Sequence, residues 1–204
     1  MILYGRDLSP FTRRVAIWMT LQGRAVERRK ITVAGEDFEQ LKTVNPVGRV
    51  PALVLDDGSV LVESAAIVDW LEDTAEEGQR LIPATGPARR DCLQHMAYAQ
   101  STAEKTVAFV YDKVRRPEEF HYLPWIARLE GQVRAGLAAL EDRVPEAGRF
   151  GGDAPNGADI AVVIAWDMAT TVAPHLTEGP YPKLARLSAE ANAMPAFGDT
   201  HPGA

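Results

Sequence analysis

Apolar and polar positions divide this 204-residue chain into two halves of different period. Up to about residue 78, short apolar runs bounded by turn residues alternate with helical stretches. Met1–Tyr4 is an apolar strand followed by Gly5, Asp7 and Ser9-Pro10. Ser9-Pro10 starts a helix, with serine at the cap and proline at the first helical position. Phe11, Val15, Trp18 and Gln22, with Ile17 and Leu21 beside them, mark one face of it, and Gly23 ends it. Ala25–Ile31 carries the charged run Glu27 to Lys30 and fits an edge strand, where charge discourages pairing with another chain. Glu36–Val44 is a short helix. Ala52–Leu55 and Val60–Val62 flank Asp56-Asp57-Gly58-Ser59, a hairpin turn. Ser64 caps the next helix, which runs through Ile67, Val68 and Leu71 towards Gly78. The order β-α-β-α-β-β-α is thioredoxin-like, with a crossover-linked parallel pair and a terminal hairpin.

Strand signals stop after a Pro- and Gly-bearing linker at 79–87. Ala88–Arg116 predicts a long helix with Leu93, Met96, Ala103, Val107, Val110 and Val114 as its apolar positions, ended by Pro117. Tyr122–Val144 repeats apolar residues every three or four positions, from Trp125 through Leu129, Val133, Leu137 and Leu140. Asn156–Val172 is apolar on all sides, the pattern of a central core helix. Pro180–Ala193 is a last amphipathic helix, and the tail from Met194 is expected to be irregular. The expected fold is α/β followed by all-α: a thioredoxin-like domain at 1–78, the linker, and a helical domain at 88–204.

One stretch stands apart. Asn45-Pro46-Val47-Gly48-Arg49-Val50-Pro51 places two prolines and a glycine just before an apolar strand. Pro51 at a strand start gives up no ladder hydrogen bond, and a cis bond before it would turn the chain sharply. Such a turn would leave the Val50 N–H and C=O free to pair with an extended peptide.

Composition narrows the field. Net charge is −6, which disfavours nucleic acid as a partner. The charge is uneven: residues 1–50 hold nine Lys/Arg against five Asp/Glu, and the rest hold thirteen against twenty-three. A locally basic N-terminal stretch suits a small anionic ligand. The single cysteine, Cys92, fits a reducing compartment and excludes both a CxxC redox pair and a multi-cysteine zinc site. His95, His121, His175 and His201 show no metal-ligand spacing, so no metal is expected. No apolar stretch reaches a membrane span and no signal peptide is evident, so the expected location is cytoplasmic.

Asn45-Pro46-x-Gly48-Arg49-Val50-Pro51-x-Leu53, then Leu61-x-Glu63-Ser64-x-x-Ile67, resembles the glutathione-binding half of the cytosolic glutathione S-transferase superfamily. So does Ser9-Pro10-Phe11-x-x-Arg14-Val15, which points to a serine-type, bacterial-like member. Pro155-Asn156-x-Ala158-Asp159-Ile160-Ala161 is similar to the helix-capping signature of that family's second domain. The resemblance spans essentially the whole chain. It implies a homodimer that uses glutathione as co-substrate and transfers it to a small electrophile. A glutathione-dependent isomerase or dehalogenase, and a non-catalytic interaction module of the same fold, are the alternatives.

The resemblance also implies roles. A free thiol with a pKa of about 8.5 is mostly protonated at neutral pH. A hydroxyl donor at a helix N-terminus would stabilise the thiolate, and Ser9 stands at one. A helix cap alone would also justify a serine there, and the family context favours the catalytic role. Thr12, one turn on, is the alternative hydroxyl and Tyr4 a third. Glu63 and Ser64 would meet the amino and carboxylate groups of the γ-glutamyl end. Val50 and Pro51 would hold the cysteinyl part by its backbone. Arg49 would meet the glycyl carboxylate, and Phe11 would line the same site. Leu8, Tyr98, Thr102, Thr106 and Phe109 are candidates for an electrophile site expected between the domains. Asn156 and Asp159, a capping-box variant, are expected to be purely structural.

Overall fold

Alternation along two short strands sets the core of the first half. The computed structural model describes residues 1–203 and forms two units: Met1–Leu81 with the segment from Met194 onwards, and Ile82–Ala193. In the first unit the elements are β1 (Ile2–Tyr4), α1 (Pro10–Leu21), β2 (Glu27–Arg29), α2 (Gly35–Val44), β3 (Ala52–Val54), β4 (Val60–Val62) and α3 (Ser64–Asp73). The sheet order is β2-β1-β3-β4, with β1 and β2 parallel and the other pairs antiparallel. The register sets Leu3 opposite Leu53 and Tyr4 opposite Ala52. Successive strand residues face opposite sides. Tyr4 and Ala52 therefore pack with Ile31 and Leu41 on one face. Leu3 and Leu53, fully buried, face the other way, where Val15, Ile17, Trp18, Ile67 and Leu71 are also fully buried. The hairpin closes as expected, with Gly58 at φ +85° and its N–H donating to Leu55 O at 3.0 Å.

The tail is not irregular. Pro195–Gly198 makes one further helical turn, and Phe197 is fully buried. The reason is a buried cation on α1: Arg13 donates from Nη2 to Phe197 O at 3.1 Å and from Nε to Thr200 Oγ1 at 3.3 Å. The segment placed by sequence with the helical domain thus groups with the sheet. Glu72, also buried, accepts from Trp18 Nε1 at 2.9 Å, from Gln22 Nε2 at 3.1 Å and from Leu81 N at 3.0 Å. It fastens α3 to α1 and to the chain leaving the unit.

The second unit contains α4 (Gly86–Phe109), α5 (Leu123–Glu141), α6 (Gly157–Val172) and α7 (Pro182–Asn192). The long helix expected to run to Arg116 loses its α geometry after Phe109. Val110–Arg115 is π-helical, and Val114 faces solvent rather than the core. Leu93 and Trp125, expected inside, are also exposed. The Trp125 indole instead donates to Asp112 Oδ2 at 2.9 Å, and Arg116 holds the other carboxylate oxygen at 2.6 Å. α6 is the central helix its composition implied, buried from Gly157 to Ala169. Its one mid-helix charge, Asp167, accepts from Ser188 Oγ at 2.5 Å and Asn192 Nδ2 at 3.0 Å on α7, which satisfies an otherwise costly buried carboxylate. No helix among the described residues is long and apolar enough to cross a membrane.

Candidate active site

The loop from Gly5 to Leu8 delivers Ser9 to the start of α1. It is tied to β2 by Asp7, whose carboxylate pairs with Arg28 and, at 2.8 Å, with Lys30 Nζ. Gly5 sits at φ +127°, where a Cβ would strike the Thr12 side chain, so only glycine lets the loop pass so close to the helix. Ser9 has extended backbone and its Oγ accepts from Thr12 N at 3.3 Å. The hydroxyl is used as an acceptor here, so its own proton is available to a second group. The two rival hydroxyls differ. Thr12 is 0% exposed, with its Oγ1 buried and turned towards Gly5. The Tyr4 phenol oxygen is 2.6 Å from Arg29 Nη1, which donates to it, and the ring is buried.

The Val50–Pro51 peptide bond is cis. Upstream, Asn45 fixes the loop: its Nδ2 donates to Arg49 O at 2.7 Å and its Oδ1 accepts from Val47 N at 3.1 Å. Gly48, at φ +67°, lies against the Phe38 ring with no room for a Cβ. Among the described residues, no turn or loop hydrogen bond engages the Val50 N–H or C=O.

The start of α3 differs from its expected form. Ser64 is the first helical residue, and Glu63 is the cap, at φ +67°. A non-glycine residue in the left-handed region is uncommon and clusters at functional sites. The Glu63 carboxylate folds onto the helix start. Its Oε1 accepts from Ser64 N at 2.9 Å and from Ser64 Oγ at 3.3 Å, and its Oε2 lies 3.8 Å from Arg49 Nη1. Arg49 and Glu63 remain largely exposed, at 64% and 52%.

Sequence reasoning gave Arg14 no role. In the structure it is 4% exposed, and its Nη2 donates to Ser64 Oγ at 2.6 Å. The available signal was a basic pair, Arg13-Arg14, inside the apolar face of a short helix, since such charges are rarely buried without partners. The other candidates lie as follows. Phe11 is buried in the core at 8% exposure. Thr102, Thr106 and Phe109 are buried within the helical unit, and the two threonine hydroxyls donate to carbonyls one turn back, Tyr98 O at 2.8 Å and Thr102 O at 3.0 Å. None of the three presents a free polar atom to an electrophile. Tyr98 is covered on one ring face by the Arg143 guanidinium, 4.0 Å from its centroid. Leu8 lies in the loop next to Ser9 and is partly exposed.

Asn156 and Asp159 build a closed cap on α6. Asn156 Oδ1 accepts from Ala158 N at 2.8 Å and Asp159 N at 3.3 Å. The Asp159 carboxylate accepts from Phe150 N, Gly151 N and Asn156 N at 2.8, 2.9 and 2.9 Å. Burial pushes its carboxyl above the usual range, against the pull of these three N–H groups.

The family models for the glutathione S-transferase N-terminal and C-terminal domains match residues 3–79 and 124–190. The chain belongs to the glutathione S-transferase superfamily. A member of this superfamily from Methylobacterium radiotolerans, solved with glutathione sulfonate, superposes with a TM-score of 0.91 at 25% identity, covering 98% of this chain and 94% of that one. A maleylacetoacetate isomerase from Methylobacterium extorquens, solved with malonate and GSH, has a TM-score of 0.75 at 30% identity and covers 99% and 96%. The maleylacetoacetate isomerase of Pseudomonas aeruginosa is 29% identical over 99% of this chain and 96% of its own length.

Proposed function

We propose that this protein binds glutathione in its first unit and uses the thiolate, stabilised by Ser9, to attack a small electrophile. The observation that carries this is the state of the three nearby hydroxyls. Only Ser9 combines a helix N-terminus, partial exposure and a proton left free by an accepted N–H, while Thr12 is buried and the Tyr4 oxygen is held by Arg29. The thiol gives its proton to solvent. The remaining anion meets the Ser9 O–H and the positive end of α1, both of which favour thiolate over thiol. The sulfur then forms a bond to an electrophilic carbon.

The tripeptide is held along its length. The Val50 N–H and C=O pair with its cysteinyl backbone, as one strand pairs with another. Ser64 N–H, at the start of α3, takes the γ-glutamyl carboxylate. The Glu63 carboxylate swings to the neighbouring amino group, and Arg49, released from Glu63, takes the glycyl carboxylate. The protein supplies proximity and thiolate stabilisation.

Two outcomes of the same attack are open to this site. Conjugation displaces a leaving group and keeps the C–S bond. Isomerisation adds the sulfur to a cis double bond, lets the resulting single bond rotate, and expels the sulfur as the trans double bond re-forms. The near-full-length similarity to maleylacetoacetate isomerases favours giving the second equal standing. The test is a panel with glutathione present and absent: 1-chloro-2,4-dinitrobenzene for conjugation and maleylacetone for isomerisation. Turnover of either substrate, glutathione-dependent and lost in Ser9→Ala, is the expected result. Glutathione binding without turnover of any electrophile would favour an interaction module.

A further inference from the structure

From the geometry beneath α3 we infer that Arg14 is a positioning residue for the carboxylate end of glutathione. A guanidinium only donates hydrogen bonds. At 2.6 Å from Arg14 Nη2, Ser64 Oγ must therefore be the acceptor in that bond. Its single proton is forced to point elsewhere, and the group it meets is a carboxylate, Glu63 Oε1 at 3.3 Å. The same oxygen takes Ser64 N–H at 2.9 Å. Ser64 thus offers two donors to one carboxylate oxygen, and Arg14 makes the second of them a donor.

Glu63 reports what this place binds. Its side chain comes from a strained residue, is half exposed, and holds the helix start only through one oxygen. A ligand carboxylate can displace it and inherit both donors. Arg14 is itself buried, at 4% exposure, so its charge acts through low-dielectric surroundings on whatever anion sits across Ser64. Arginine stands here because its rigid fork holds a fixed direction from α1, which a flexible lysine ammonium does not.

The inference rests on the reading that the γ-glutamyl carboxylate of glutathione binds at α3. The test is calorimetric titration with two ligands, glutathione and 4-aminobutyryl-cysteinyl-glycine, which lacks only the γ-glutamyl α-carboxylate. Wild-type protein should prefer glutathione. In Arg14→Gln, glutathione affinity should fall about tenfold or more while the analogue's changes by less than about twofold. kcat at saturating glutathione should hold, with the loss appearing in KM. Combined with Ser64→Ala, the two losses should not add, because both remove the same donor. Equal loss for both ligands, or no loss for glutathione, would overturn the inference and leave Arg14 as packing. Should Arg14→Gln fail to fold, Arg14→Lys decides the matter on the same two ligands: a smaller, glutathione-selective loss supports it and an unselective one rejects it. If the wild type binds neither ligand, it is the functional reading that fails.

Discussion

Two helices begin with a carboxylate folded onto their N-termini, and they do so in opposite ways. At α6 the carboxylate belongs to Asp159, is 1% exposed, and accepts three backbone N–H bonds from Phe150, Gly151 and Asn156. At α3 it belongs to Glu63, is 52% exposed, and accepts from Ser64 alone while leaning on a distant Arg49. The first carboxylate is inseparable from the turn it closes, because removing it strands three backbone donors that all converge on one buried group. The second is open to water, and on the proposed reading a ligand carboxylate takes its place. The same electrostatics at a helix end holds a buried carboxylate with three donors at α6 and an exposed one with the two donors of Ser64 at α3.

Mutations should separate the two. Ser9→Ala, at the start of α1, should lower kcat/KM by roughly a hundredfold or more, with Tm lowered only by the lost helix cap, about 2–4 °C. Full turnover in that variant would remove Ser9 from the mechanism. Asp159→Ala should cost about 3 kcal/mol, a fall in Tm of roughly 6–12 °C, with kcat per folded molecule preserved. An unchanged Tm would mean that the α6 cap does not hold its turn as described. Ser64→Ala should act mainly on binding: KM for glutathione rises about tenfold, while loss of the buried acceptor for Arg14 lowers Tm by about 2–6 °C, less than Asp159→Ala does. If Tm fell as far as in Asp159→Ala, the contrast between the two helix starts would disappear. Thr12→Val should leave turnover within about twofold, since the hydroxyl it removes is fully buried.

The smallest effect concerns pH. His95 packs on the Phe150 ring, with centroids 4.6 Å apart, close to the α6 cap. Burial, then the Arg143 charge, pushes its pKa below the ordinary 6.5, while Asp91 and Asp159 pull the other way. The folded protein therefore binds fewer protons at His95 than the unfolded chain does. The associated stability is complete above pH 6.5 and declines as pH falls below it. His95→Gln should shrink the difference in Tm between about pH 7.5 and about pH 5.5. A difference that stays the same would show that another group sets the acid response.

Much of the first unit was readable because its signals are local. Ser9-Pro10, the Asp57-Gly58 turn and the two-residue alternation of β1 and β3 each specify structure within a few residues. The α6 cap was readable for the same reason, since Asn156 and Asp159 are three positions apart. The errors fall where partners are far apart. Arg14 and Ser64 are separated by 50 positions, and Arg13 and Phe197 by 184. No periodicity on α1 reveals that its two arginines are buried, because what buries them arrives later in the chain. The environment of the candidate residues on α4 was hidden in the same way. Thr102 and Thr106 lie at helical spacing that suits a lining face, yet they turn inward, and Thr102 packs closely on Gly136 of α5.

The sequence by itself determined the order of the elements, the two-part architecture and the serine at the mouth of α1, since chain-neighbour geometry and apolar periodicity carry that information. Only the tertiary structure decided which hydroxyl is partly exposed, which helix-start carboxylate is buried and which exposed, and that a buried guanidinium stands behind Ser64. Those properties depend on burial and on donor direction. Both are set by side chains that meet only once the chain has folded.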